Sequence, residues 1–215
     1  MGSMPIFRLF LFFCVSLPLM GGTLRAEGGS RHEIIVSVKD QQLMLKTDGK
    51  AEAIYAVSTS RFGIGDRFGS YATPLGKFFV KVKIGMGRPL GSVFRSRVPT
   101  GEILKPNAPG RDPIVTCILW LEGTESCNRN AFARGIYIHG TPQEKLLGKP
   151  ASYGCIRMRS ADVAALCERI ETGTSVRIIP DHLPDRAGWG VFLNAHRLVA
   201  ANTGSPEAPG EQETE

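Results

Sequence analysis

From Arg31 onward, apolar and polar positions alternate with a period of two. Ile34, Val36 and Val38 alternate with Ile35, Ser37 and Lys39, and Leu43 and Leu45 repeat the spacing. Side chains two apart share one face of a strand, so the pattern predicts half-buried β structure. Thr47-Asp48-Gly49-Lys50 reads as a turn, and residues 51–58 return as a third strand. In Phe78-Phe79-Val80-Lys81-Val82-Lys83-Ile84, one face carries Phe78, Val80, Val82 and Ile84, and the other two lysines. Residues 114–121, 135–139 and 174–180 are further strands. One stretch has a helical period instead. Val163, Leu166, Cys167 and Ile170 fall at i, i+3, i+4 and i+7, with Ser160 as the predicted cap, Asp162 in the first turn and Gly173 beyond the end. The pattern therefore predicts a mainly β domain with minor α, its strands mostly antiparallel and joined by hairpins. The Gly- and Pro-rich stretches 60–76 and 85–113 read as long loops, which in a compact domain carry function or act as lids.

Length and composition narrow the class. With 215 residues, 42% hydrophobic and 21% charged, the chain fits one domain of catalytic size and neither a disordered chain nor a coiled coil. Arg8 precedes an apolar run from Leu9 to Met20, too short to span a bilayer and of the length of a signal-peptide core, with Ala26 at a cleavage position. Residues 1–26 are thus predicted to be a signal peptide, with an uncleaved anchor as the alternative. The expected location is the periplasm or cell-wall space, with membrane contact only through that segment before cleavage. Residues 27–180 form the main domain. Residues 181–200 are expected to add a short helix or arm in which Trp189, Phe192 and Leu198 pack back, and 201–215 to be a disordered acidic tail.

The formal charge is +6; setting aside the two arginines of 1–26 and the four glutamates of the tail leaves residues 27–200 at +8. A basic body attracts polyanions. No nucleic-acid motif is present and an exported protein rarely meets nucleic acid, so an anionic cell-wall polymer or membrane surface is the expected partner, with a basic surface kept for solubility as the alternative.

The chemistry concentrates in two segments, Gly135-Ile136-Tyr137-Ile138-His139-Gly140-Thr141-Pro142 and Ala151-Ser152-Tyr153-Gly154-Cys155-Ile156-Arg157-Met158. A histidine ends an apolar strand, and sixteen residues later a cysteine stands just before the helix. A thiol needs a nearby base to become the thiolate that attacks carbonyls, and imidazole serves near neutral pH. Gly154 lets the backbone approach a substrate and aim amides at a developing oxyanion. Tyr137, opposite in direction to Ile136 and Ile138, lines the cleft or faces water.

Together these segments resemble the L,D-transpeptidase catalytic domain family of the YkuD type, which crosslinks or modifies bacterial peptidoglycan. Ile138-His139-Gly140-Thr141 and Ser152-Tyr153-Gly154-Cys155-Ile156-Arg157-Met158 match its two motifs, and Thr73-Pro74-Leu75-Gly76-Lys77-Phe78 and Asp40-Gln41-Gln42-Leu43 match its supporting features. The likeness covers roughly residues 32–180. Tyr153 departs from the family's His or Arg, and Ser58-Thr59-Ser60 from its Ser-x-Gly.

The resemblance implies a sandwich- or barrel-like catalytic fold over 27–180 with one helix after the cysteine loop. It implies Cys155 as nucleophile on a stem tetrapeptide, His139 as base, and the Gly140 carbonyl as its orienting group. It also implies an oxyanion hole around Tyr153, Gly154 and Cys155, with Ser152 and Arg157 shaping the site. Arg157 either pairs with a substrate carboxylate or hydrogen-bonds loop carbonyls. The Thr73-Pro74-Leu75-Gly76 turn supports the sheet. The implied partners are stem peptides with a stem amine or a lipoprotein as acceptor, and the implied enzyme is a monomer without metal or cofactor. Water as acceptor would make it a carboxypeptidase or trimming hydrolase, and loss of activity would leave a peptidoglycan-binding module.

Cys117 and Cys127 either close a disulfide or serve as core and loop residues, while Cys167 belongs to the core stripe of the helix. The order His139 then Cys155 excludes papain-like peptidases, and no Gln-Ala-Cys supports a caspase. A zinc site on His139, Cys155 and His182 lacks a fourth ligand.

Overall fold

In the computed structural model, residues 31–184 are described. The expectations for residues 1–26 and 201–215, and for the arm beyond 184, lie outside them. The elements in order are β1 (His32–Ser37), β2 (Gln42–Thr47), β3 (Lys50–Ser58), β4 (Gly76–Ile84), β5 (Ser92–Arg95), β6 (Val98–Ile103), β7 (Ile114–Gly123), β8 (Tyr137–Gly140), a 3-10 turn (Glu144–Leu146), β9 (Ile156–Met158), α1 (Ser160–Arg169) and β10 (Ser175–Ile179).

The strands run in the order β4-β10-β1-β2-β3-β9-β8-β7, and β7 pairs back onto β4 to close a barrel-like ring, with β5 and β6 branching from β7. Most neighbours are antiparallel, as the hairpin pattern predicts. Two pairs, β1 with β10 and β8 with β9, are parallel. A parallel pair needs a crossover, and the β8–β9 connection is the stretch that holds the cysteine loop.

Alternation places the core as the sequence predicts. Ile34, Val36, Leu43, Leu45, Phe78, Val80, Leu119, Leu121, Ile138, Ile156, Met158, Val176 and Ile178 fill one cluster, joined by Val163, Leu166 and Ile170 from α1 and its end. Among the described residues no helix is long and apolar enough to cross a membrane.

Three expectations need correction. The stretch 85–113 is not one loop, because it contains the β5–β6 hairpin. Its turn residues, Ser96 and Arg97, hold φ of 50° and 68° without a Gly or Asn to announce them. β6 carries Pro99 and Gly101 on an outer strand, where proline is tolerated because one edge needs no donor.

Second, Ser160 is the first residue of α1 rather than its cap. The cap position is Arg159, which makes no capping side-chain bond. A carboxylate from elsewhere takes that role: Glu144 Oε1 accepts the Ser160 amide at 3.0 Å, where the helix end favours negative charge.

Third, the disulfide joins Cys117 of β7 to Cys167 of α1, and Cys127 is free and exposed. Cys167 lies in the core as its helical spacing predicts, and it meets Cys117 there because both point into the same cluster. Of the two readings open to Cys117 and Cys127, core and loop residue is the one found, and facing directions rather than spacing decide which thiols meet.

Candidate active site

The parallel register of β8 and β9 builds the site. Ile138 is paired with Ile156, His139 with Arg157 and Gly140 with Met158. Ile138, Ile156 and Met158 point into the core, so period-two alternation sends His139 and Arg157 to the opposite face. Tyr137 precedes Ile138 and Cys155 precedes Ile156, so these two share that outer face as diagonal neighbours of His139 and Arg157. Cys155 there joins a second cluster with Phe94, Ile118 and Tyr137. The sequence thus brings Cys155 and His139 to one face of adjacent strands, and the Cys155 thiol is free.

His139 is buried, and its Nδ1 donates to the Gly140 carbonyl at 2.8 Å. A carbonyl only accepts, so the proton sits on Nδ1 and Nε2 keeps its lone pair. Burial pushes the imidazole down to about 4, opposed by the Gly140 carbonyl and by the nearby Asp112 carboxylate. Gly140 has no room for a side chain, since a Cβ there would stand 2.6 Å from the Val115 carbonyl. That close approach arises at an irregularity in β7, where the pairing jumps from Val115–Gly140 to Ile118–His139. Cys117 lies inside this bulge, so the disulfide anchors the strand that backs the histidine.

The thiol of Cys155 donates to the Gly135 carbonyl at 3.3 Å. Protein surrounds the sulfur although the residue keeps part of its surface open, and burial pushes the thiol up to about 11. The Tyr137 amide and the guanidinium groups of Arg134 and Arg157 oppose that shift. At neutral pH both members of the pair are therefore uncharged at rest.

The turn that presents Cys155 is held from three sides. Ser152 is buried; its hydroxyl donates to the Cys155 carbonyl at 2.6 Å and accepts the Gly154 amide at 3.2 Å. Thr73 Oγ1 donates to the Gly154 carbonyl at 3.0 Å and accepts the Ser60 amide at 3.0 Å. The Thr59 carbonyl accepts the amides of Ala151 and Ser152. Gly154 sits at φ 118°, where a side chain is strained, and its missing Cβ would stand 3.3 Å from the Ala72 carbonyl. The Thr73-Pro74 turn thus does more than support the sheet, because its hydroxyl ties directly to the cysteine loop.

Arg157 is buried and engaged. Its Nη1 forms an ion pair with Asp112, and its Nη2 donates to Ser58 Oγ at 3.3 Å. Asp112 also accepts from Thr141 Oγ1 at 2.5 Å, which links the residue after His139-Gly140 to the residue paired with His139. Its partners are thus a carboxylate and a hydroxyl of this chain rather than the loop carbonyls expected. Tyr137 is also buried, with its hydroxyl 3.2 Å from Arg97 Nη1 and its ring edge-on to Trp120. Arg134, next to Gly135, forms a buried ion pair with Asp66 at 3.1 Å and donates to the carbonyls of Gly65 and Ala72. It clasps the 60–76 loop against the site.

Sequence reasoning did not find Asp112, Arg134 or Asp66. The one available signal was position, since Asp112 stands among Gly and Pro residues in a long loop, where acids with a task are displayed. Among the described residues no cluster of three or more His, Cys, Asp or Glu is placed to hold a metal ion, and His182 instead contacts Asp40 at 2.5 Å.

Comparison with known proteins bears on most of the described region. The family model for the L,D-transpeptidase catalytic domain (YkuD) matches residues 31–178. "Putative L,D-transpeptidase YqjB" of Bacillus subtilis (strain 168) is 30% identical over 149 residues, covering 69% of this chain and 72% of that protein. Among solved structures, an L,D-transpeptidase from Mycobacterium smegmatis aligns at a TM-score of 0.46 and 16% identity, over 70% of this chain and 59% of its own. An L,D-transpeptidase from Mycobacterium tuberculosis H37Rv aligns at 0.47 and 19%, over 70% and 58%. This chain therefore spans less than two thirds of either of those two structures. On the family match, which covers well over half its length, the chain belongs to the YkuD family of L,D-transpeptidase catalytic domains.

Proposed function

We propose that this protein is an exported peptidoglycan L,D-transpeptidase that forms a thioester on Cys155 with a stem tetrapeptide and passes the acyl group to an amine. One observation carries the reading: a free cysteine at the start of β9 and a neutral histidine on the adjacent β8, with an available Nε2, share one face, and the cysteine turn passes through a φ at Gly154 that glycine alone adopts without strain.

His139 Nε2 takes the thiol proton as the sulfur attacks the carbonyl of the L-centre. The Gly140 carbonyl and Asp112 favour the imidazolium that forms, and Arg134 and Arg157 favour the sulfur anion. The Gly154 amide is already engaged by Ser152 Oγ, so the amides of Tyr153 and Cys155 serve the oxyanion. Collapse of the tetrahedral species breaks the C–N bond, the imidazolium protonates the leaving amine, and D-alanine departs. An acceptor amine then attacks the thioester, gives its proton to His139, and releases Cys155 as a thiol. A stem amine yields a 3–3 crosslink and a protein lysine yields anchoring. The charge of +8 over residues 27–200 suits an anionic polymer substrate.

The test is incubation of the purified protein with tetrapeptide-bearing muropeptides, read by mass. The expected result is an adduct on Cys155 with loss of D-alanine, dimeric products, and neither with Cys155→Ala. Tripeptide as the sole product would make water the acceptor. An adduct that persists on Cys155→Ala would overturn the assignment of the nucleophile.

A further inference from the structure

Arg61 stands where the 60–76 loop meets the cysteine turn. Its amide donates to the Ser152 carbonyl at 3.1 Å, and its neighbour Ser60 bridges to Ser152. Its guanidinium lies 4.3 Å from the ring centre of Tyr153 and 5.1 Å from that of Phe62, and it donates to the Tyr153 hydroxyl. Phe62, Tyr71 and Tyr153 form a mutual cluster with ring centres 5.3 to 5.8 Å apart. These rings are 48%, 55% and 58% exposed, so they are not part of the core. An exposed aromatic group of this kind, two residues from the nucleophile, is placed to meet a ligand.

Charge identifies which ligand. Three guanidinium groups surround the cysteine turn. Arg134 and Arg157 are buried and held by Asp66 and Asp112. Arg61 is exposed and has no carboxylate partner among the described residues. Its stacking on Tyr153 and Phe62 fixes the plane of the guanidinium, so little freedom is lost when a ligand takes its remaining N–H edge. The matching ligand for a planar fork is a carboxylate, bound by two parallel hydrogen bonds. The flanking rings suit the aliphatic part of a peptide.

We propose that Arg61, seated on the rings of Tyr153 and Phe62, is a specificity-determining residue that reads a free carboxylate on the peptide donor. The assignment rests on the donor reading given above. It gives Arg61 a carboxylate role while Arg157 is already paired with Asp112, and it follows from Tyr153 presenting a ring and a hydroxyl to the Arg61 guanidinium.

The experiment compares tetrapeptide donors as free acids with the same peptides amidated at one carboxylate at a time. Acylation of the wild type and of Arg61→Gln and Arg61→Lys is followed by mass. At least one amidation should lower wild-type kcat/KM by about 10- to 100-fold, the range of a charge-assisted hydrogen-bonded contact. Arg61→Gln should bring the acid-to-amide ratio within about threefold of one, while Arg61→Lys, which keeps charge without the fork, should retain part of it. An unchanged ratio in Arg61→Gln, or no wild-type discrimination at any carboxylate, overturns the proposal.

Binding of the same peptides to full-length Cys155→Ala, by calorimetry, separates this from failure of the donor reading. If no thioester forms with any peptide but the acid still binds tighter through Arg61, only the donor reading falls. Binding of a neutral chito-oligosaccharide as tightly as the peptide, and insensitive to Arg61→Gln, would reassign the rings to sugar stacking and overturn the proposal.

Discussion

The Cys117–Cys167 bridge makes the sharpest prediction about stability. It closes a loop with a sequence separation of 50, running from β7 through the histidine and cysteine segments to α1. Restricting an unfolded chain over a loop of that length is worth about 4 kcal/mol in the chain-entropy treatment. A domain of this size has a total stability of roughly 5–15 kcal/mol, so the bridge accounts for a large part of it. Both half-cystines are almost fully buried, at 2% and 1% exposure, so the double substitution Cys117→Ala/Cys167→Ala also leaves a small apolar gap, which adds to the loss rather than offsetting it. With a urea dependence of about 2 kcal/mol per molar, the midpoint should fall by about 2 M. The measurement is urea unfolding by circular dichroism, paired with thiol labelling of the unreduced protein. Labelling should modify Cys127, and after unfolding Cys155, but leave Cys117 and Cys167 untouched until reductant is added. A midpoint shift below about 0.5 M would mean that the loop is already restricted when unfolded, refuting the energetic argument. Labelling at Cys117 in the native oxidised protein would refute the pairing itself.

The ionisation of His139 and Cys155 predicts a window of stability. His139 falls from 6.5 to about 4 in the folded protein, so the unfolded chain binds more protons between those values and stability is lost as pH drops through them, by about 3 kcal/mol in all. Cys155 rises from 9.0 to about 11, so its contribution is complete below 9 and is lost as pH climbs towards 11, again by about 3 kcal/mol. Urea midpoints across pH should fall on both sides, and His139→Gln should flatten the acid limb. Iodoacetamide should react slowly with Cys155 at pH 7 and accelerate well above pH 9, unlike an ordinary exposed thiol; rapid alkylation at pH 7 would contradict a buried neutral sulfur. Asp112→Asn leaves the Arg157 guanidinium, 5% exposed, without its counter-charge and should cost about 3 kcal/mol, read as a melting shift, with slower acylation because the histidine loses its nearest carboxylate. Gly154→Ala forces a side chain onto φ 118° and should cost about 1–3 kcal/mol while acylation falls far more steeply; equal acylation would show that the turn tolerates relaxation.

What the sequence made legible is what local rules control. Period-two alternation located β1 to β4, β7, β8 and β10 because each buries one face of a closed ring, and the stripe Val163, Leu166, Cys167, Ile170 located α1. The histidine was visible because it ends an apolar strand, and the cysteine because it stands between a glycine and an isoleucine just before the helix. Features set by distant contacts were not visible. β9 is three residues long and exists because β3 and β8 flank it. β5 and β6 turn through two non-glycine residues held at positive φ. Ser160 has every local mark of a cap, yet a carboxylate sixteen residues earlier meets its amide because the 3-10 turn packs beside the helix start.

The same division runs through the site. His139 and Cys155 are local to two short segments, but their electrostatic setting comes from Asp112 and Arg134, and from a loop that Asp66 and Thr73 fasten down. Each of these is a single polar residue in a Gly- or Pro-rich stretch, indistinguishable in sequence from a solvated loop residue until its partner is known. Arg61 is the inverse case, an exposed charge with no carboxylate partner among the described residues. A buried arginine is explained by the acid it meets, whereas an arginine laid on aromatic rings in the open keeps an N–H edge that a ligand can take. Motifs therefore indicate the bond that is broken, and the loops around them decide which substrate reaches it.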